Sequence, residues 1–264
     1  MKHVLTLAAA LWTTTASAEW PEGVAALEVL PGWQAEDGAH VAGLRITLAP
    51  GWKTYWRAPG DGGIPPALTL DGAGNVAGVE MHWPVPEVFD QNGMRSIGYS
   101  EMVVLPLRIA PGTPGEAVDL SGRLEIGVCD EVCVPVSFEI DALLPPVGKR
   151  DAAIVAALVD RPMTADEAGV GRVTCTVAPG ARGMAVTASI PLPEATGSEV
   201  VVIEAGDPEV WVSEADVRRD GDVLTATSDL VHFTGESFAV DRSALRFTVL
   251  GAARVVDIRG CVAG

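Results

Sequence analysis

The chain has 264 residues, with 35 acidic against 18 basic side chains, four cysteines and four histidines. A formal net charge of −17 works against nucleic acid and anionic membrane surfaces as partners, because their phosphates repel it. Common hydrolase motifs do not occur: there is no G-x-S-x-G and no H-E-x-x-H.

The first eighteen residues read as an export signal. Lys2 and His3 give a polar start, Val4 to Trp12 is apolar apart from Thr6, and Ala16-Ser17-Ala18 is a small-x-small cleavage site. The apolar stretch is too short to span a bilayer. Nothing downstream approaches ~18 uninterrupted apolar residues. The mature chain is expected to begin at Glu19, in a compartment that permits disulfides. Its length suffices for two domains with separate cores.

Short runs of Val, Ile, Leu and Thr then alternate with polar residues, in the period of strands. The predicted strands are 40–48, 79–85, 102–109, 119–128 and 134–140. No helical pattern separates them, which predicts an all-β sandwich rather than a parallel sheet. "APGDGGIPP" (58–66) is too rich in Gly and Pro for regular structure. After "LLPPVGKR" (143–150), residues 151–162 carry helical spacing at Ile154, Val155, Leu158 and Val159. Asp151 is the expected N-cap and Pro162 lies beyond the end. Strand patterns resume at 172–178, 183–190, 198–205, 222–228, 244–250 and 254–260, with a hairpin turn at Asp220-Gly221. The expected organisation is a signal (1–18), a β-sandwich (19–148), a linker with a short helix (149–164) and a second β-sandwich-like domain (165–264).

The four cysteines allow three pairings. Cys175–Cys261 would close a loop of about 87 residues, and chain entropy assigns such a bridge roughly 4.6 kcal/mol. That favours a structural disulfide. Cys129 and Cys133 would close only a five-residue ring, for roughly 2 kcal/mol. Small rings tend to be strained or exposed, and so more reducible. The acids between them, Asp130 and Glu131, should raise a neighbouring thiol's pKa. This pair is therefore open to three readings: a hairpin clip, a metal site or a redox pair. A C-x3-C pair resembles the copper site of Sco-type chaperones, where a distant histidine completes the ligands and soft thiolates hold Cu(I). Of His40, His82 and His232 only the last lies downstream, and "VPVSFEI" alternates like a strand where a Sco-type protein has a helix. Copper binding or resistance, with Met94 or Met102 assisting, thus stands second. A non-catalytic interaction module stands third.

Three segments in order carry a resemblance: "APGWKTYWRAPGDGGIPP" (49–66), "WPVPEVFDQNGMRSIGYSEMVVLPLRI" (83–109) and "GVCDEVCVPVSFEI" (127–140). Together they resemble the N-terminal periplasmic domain of the thiol:disulfide interchange protein DsbD, especially its ScsB-type relatives, over about residues 30–145. The resemblance implies a periplasmic, immunoglobulin-like sandwich with a redox-active cysteine pair and no other cofactor. It implies a protein-disulfide reductase type of activity. Electrons would come from a membrane thiol carrier and go to periplasmic thioredoxin-like proteins. Carried over, Cys133 attacks the acceptor and Cys129 resolves the mixed disulfide. The cap over the pair falls in "DQNGMR" (90–95), with Met94 as the covering side chain, Phe89 as the alternative and Asn92 beside them. Tyr55 and Trp56, with Trp52, would line the site. The sequence departs from the family's best-known pattern in its shorter cysteine spacing and in a cap without an aromatic at its tip. The sequence given also carries no transmembrane carrier and no C-x-x-C domain, so both functions are expected either from other polypeptides or from a longer chain of which this is the periplasmic portion.

Overall fold

The computed structural model describes residues 23–264 apart from 92, 181–182 and 195–196. The expected export signal (1–18) and Asn92 lie outside the described residues. The first half comprises β1 (Ala25–Gln34), β2 (His40–Leu48), β3 (Lys53–Tyr55), β4 (Ala67–Thr69), β5 (Val76–Met81), β6 (Glu87–Gln91), β7 (Met94–Ser100), β8 (Met102–Pro111), β9 (Val118–Cys129), β10 (Cys133–Leu144) and α1 (Ala152–Val159). Two sheets result, ordered β1-β2-β8-β5 and β10-β9-β3-β7-β6, with β4 also beside β9. This is the β-sandwich expected from the alternation, immunoglobulin-like as the resemblance implies.

Side-chain alternation decides which face is buried. In β9, Leu124, Ile126 and Val128 are buried and point inward. In β2 and β8, Ala42, Leu44 and Ile46 meet Leu105, Leu107 and Ile109 in the same core. The odd-numbered residues of β9, Gly127 and Cys129, therefore stand on the outer face of their sheet. The short strands β3, β4 and β6 were not predicted. They lie in or beside Gly- and Pro-rich stretches, and only pairing with β9 or β7 makes them strands.

The helix forms where the sequence places it. Asp151 accepts hydrogen bonds from the Ala153 and Ile154 amides, satisfying donors that a helix start leaves open. Ile154 is fully buried with Leu30, Val41 and Val104 on the outer face of the β2–β8 sheet. Gly43 makes the seat, since a Cβ there would come within 2.9 Å of Ile154.

The second half comprises β11 (Met163–Thr164), β12 (Thr174–Pro179), β13 (Met184–Pro191), β14 (Glu199–Glu204), β15 (Val210–Val212), β16 (Asp216–Asp220), β17 (Val223–His232), β18 (Arg246–Gly251), β19 (Val255–Arg259) and β20 (Val262–Ala263). Its sheets are β11-β19-β18-β14 and β15-β17-β13-β12-β20, with β16 also on β17. β11 falls inside the stretch expected as linker, and pairs in parallel with β19. β16 and β17 join through Gly221 and Asp222, with Asp220 opposite Val223, at the predicted turn. Phe247, Val249, Val256 and Ile258 pack against Val186, Ala188 and Ala226 of the facing sheet. Leu250 and Val255 point the other way and join the core of the first sandwich. One sheet thus carries apolar side chains on both faces, which ties the halves together. A disulfide links Cys175 of β12 to Cys261, just before β20.

Candidate functional site

The second disulfide, Cys129–Cys133, closes the tip of the β9–β10 hairpin, where the two cysteines face each other in register. Asp130, Glu131 and Val132 form the exposed turn, and Val132 is 65% exposed. The two sulfurs are not equivalent. Cys129 is buried, at 8% exposure, whereas Cys133 is exposed. Physically this follows from strand position: β9 is flanked by β3 and β10, while β10 ends its sheet.

Lys53 lies beside Cys129 in β3, between it and Ser100 of β7. Two residues on, Tyr55 is on the same face and its hydroxyl is 3.1 Å from Cys133 Sγ. In the disulfide only the phenol carries a proton, so Tyr55 donates to the sulfur. Burial raises the Tyr55 pKa and so keeps that proton on the oxygen. The ring occupies a slot between two glycines. A Cβ on Gly127 would lie 2.9 Å from the ring and 2.7 Å from Ile64, and one on Gly63 would lie 2.9 Å from the ring's other edge. Gly127→Ala should therefore push Tyr55 off Cys133 and destabilise the protein by about 1–3 kcal/mol through overpacking. Urea unfolding checks this; an unchanged midpoint would show that the slot is loose.

The expected aromatic group divides. Trp56 is fully buried at 0% exposure in the core between the sheets, and Trp52 packs partly buried against that core. Neighbours along an extended chain point to opposite faces, so Tyr55 at the disulfide sends Trp56 inward. Phe89 of β6 lies on the outer face, where the Lys53 ammonium sits 4.6 Å from its ring centroid. Met94 begins β7 on that face and is 65% exposed. Its sulfur rests over the loop 58–66, 4.0 Å from where a Cβ of Gly62 would be.

Lys53 was not singled out from the sequence. Burial lowers its pKa, while the charges of Asp130 and Glu87 raise it. The acidic turn is therefore answered by one cation beside the disulfide. Only the register of β3 against β9 reveals this, because Lys53 and Asp130 are far apart in sequence. Arg57 was missed for the same reason. It stacks 3.7 Å over Trp56 and forks onto Glu204 at 3.1 and 3.0 Å, joining the two halves behind the site.

Among the described residues no group of three or more His, Cys, Asp or Glu is placed to hold an ion. His232 is in β17, with Nδ1 2.8 Å from Thr234 and Nε2 3.6 Å from Glu209. His40 is buried, its Nε2 2.6 Å from the Pro31 carbonyl. No helix among the described residues is long and apolar enough to cross a membrane.

Residues 26–145 match the family described as "Thiol:disulfide interchange protein DsbD, N-terminal". No curated protein sequence matches the chain. Among solved structures, the N-terminal periplasmic domain of ScsB from Proteus mirabilis is similar at a TM-score of 0.69 and 21% identity, covering 92% of this chain and 94% of that one. The stretch with the hairpin disulfide thus belongs to the DsbD N-terminal family, and both halves of the described chain share the fold of the ScsB periplasmic domain.

Proposed function

We propose that the chain is an exported thiol–disulfide exchange module that works through Cys129 and Cys133. The carrying observation is the asymmetry of the hairpin disulfide: an exposed Cys133 whose sulfur meets the Tyr55 hydroxyl, backed by a buried Cys129. Family membership of residues 26–145 supports the same reading. The expected partners are thiol-redox proteins: a membrane thiol carrier as donor and thioredoxin-like acceptors.

In the forward reaction the reduced pair acts as a dithiol. The Cys133 thiolate attacks one sulfur of the acceptor disulfide, and the acceptor's other sulfur leaves as a thiolate. Cys129, deprotonated, then attacks the Cys133 sulfur of the mixed disulfide. The acceptor's second thiolate departs and the Cys129–Cys133 bond re-forms. Two electrons pass to the acceptor, and the donor later returns them by the reverse exchange. Asp130 and Glu131 disfavour a resting thiolate, so idle oxidation is slow. The Tyr55 hydroxyl favours that thiolate through a charge-assisted hydrogen bond, and Lys53 favours it through charge. Met94 and Phe89, on β7 and β6 beside the disulfide, are the side chains expected to cover the approach until a partner docks.

A graded reduction separates this reading from a pair of structural bridges. Two thiols should appear at mild reductant, from Cys129 and Cys133, well before the Cys175–Cys261 pair opens. Simultaneous opening of both disulfides, or later opening of the hairpin pair, would overturn the proposal.

A further inference from the structure

The loop 58–66 has two sides. One side, through Gly63 and Ile64, packs the Tyr55 slot at the disulfide. The other forms a wall of a cleft of about 660 Å³ between the two sandwiches. That size is in the range of ligand sites, about 300–1,000 Å³. Across from Pro59 and Asp61 the cleft is walled by Val200–Glu204 of β14 and by β15, with Phe233 at the edge. Both strands end their sheets. An edge strand offers a row of backbone donors and acceptors to which an extended peptide can add. Five residues of β14 give a template of roughly 16 Å.

The charges of the cleft choose the occupant. The Arg57 guanidinium is already matched by the Glu204 carboxylate. Arg95 stands 3.8 Å from Asp90 and 3.8 Å from Glu214. Asp61 is near enough, with Asp90, to reinforce the upward shift that burial imposes on the Glu214 carboxyl against the pull of Arg95. Asp207 adds a further acid to the lining. Negative charge is in surplus over an apolar wall.

We propose that this cleft docks an extended segment of a partner protein, about five residues long, alternating apolar and basic side chains and paired to β14. That the partner is the exchange partner rests on the exchange reading; the binding itself does not. An occupant would press on the wall that seats Tyr55, so docking is transmitted to the hydrogen bond on Cys133.

The test uses the full chain and fluorescence anisotropy of labelled Val-Lys-Val-Lys-Val, with Val-Glu-Val-Glu-Val as its acidic counterpart. The basic peptide should bind saturably, and the acidic one at least ~10-fold more weakly. Asp61→Lys and Phe233→Ser alter exposed side chains and should each weaken binding by ~10-fold. Absence of saturable binding, equal binding of the two peptides, or indifference to both cleft substitutions would overturn the proposal. Peptide binding by a chain that fails every exchange assay would sink the exchange reading and leave the cleft standing.

Discussion

Cys133→Ala is expected to reduce exchange to the uncatalysed background, while Cys129→Ala traps a mixed disulfide. The two variants differ because an attacking sulfur must lie in line with the acceptor's S–S bond, with room behind it. Cys133 opens β10 at the sheet edge and is exposed. Cys129 lies under its neighbours at 8% exposure, with β3 on its other side. Once the covering hairpin is displaced, an acceptor meets Cys133 at the sheet edge, whereas Cys129 stays flanked by strands on both sides. With Cys129 gone, the bond between Cys133 and the acceptor has no resolving thiol, so the adduct accumulates. Non-reducing electrophoresis against an oxidised thioredoxin-like protein shows it as a band of summed mass. A stronger adduct from Cys133→Ala than from Cys129→Ala would reverse the roles assigned to the pair.

Replacing both Cys175 and Cys261 with Ala is expected to cost about 4–5 kcal/mol of stability, near the upper end for a single disulfide. The sequence separation is 86 residues, so the open chain regains much freedom on unfolding. The bridge also holds β20, only two residues long, in parallel register with β12. Two residues of pairing contribute little alone, and the covalent link makes that contact permanent. Cys175 itself is buried in the second core. Since domains are stable by about 5–15 kcal/mol, the loss would be a large share of the total. Urea unfolding in oxidising buffer measures it. A difference below about 1 kcal/mol would mean that β12 and the C-terminal residues are held by packing instead.

The long hairpin β9–β10 was legible because apolar residues alternate at Leu120, Leu124, Ile126 and Val128 and again at Val134, Val136, Phe138 and Ile140, on either side of the turn at Asp130. The helix was legible from Asp151 and the spacing of Ile154 and Leu158. The short strands were not, since three residues such as Lys53–Tyr55 hold no periodicity of their own. For the site, the cysteines stood out by spacing. Their environment did not. In "KTYW" the alternation says that Tyr55 and Trp56 face apart. It does not say which faces the sulfur, because that depends on the register of β3 against β9. Lys53 and Arg57 escaped notice on the same ground: each acquires its meaning from a strand distant in sequence.

The loop 58–66 limits how this molecule can change over generations. Gly60 has the Arg95 carbonyl 2.9 Å from its missing Cβ, and Gly63 has Pro59 at 2.2 Å. Each leaves little room for a side chain without a shift in its neighbours. The neighbours belong to different structural duties: the phenol at the disulfide, the hairpin that carries Met94 and the wall of the cleft. A substitution accepted for the benefit of one is felt by the other two. The disulfide hairpin and the second sandwich are therefore bound to a common history, and drift in this loop should be slower than its exposed position would suggest.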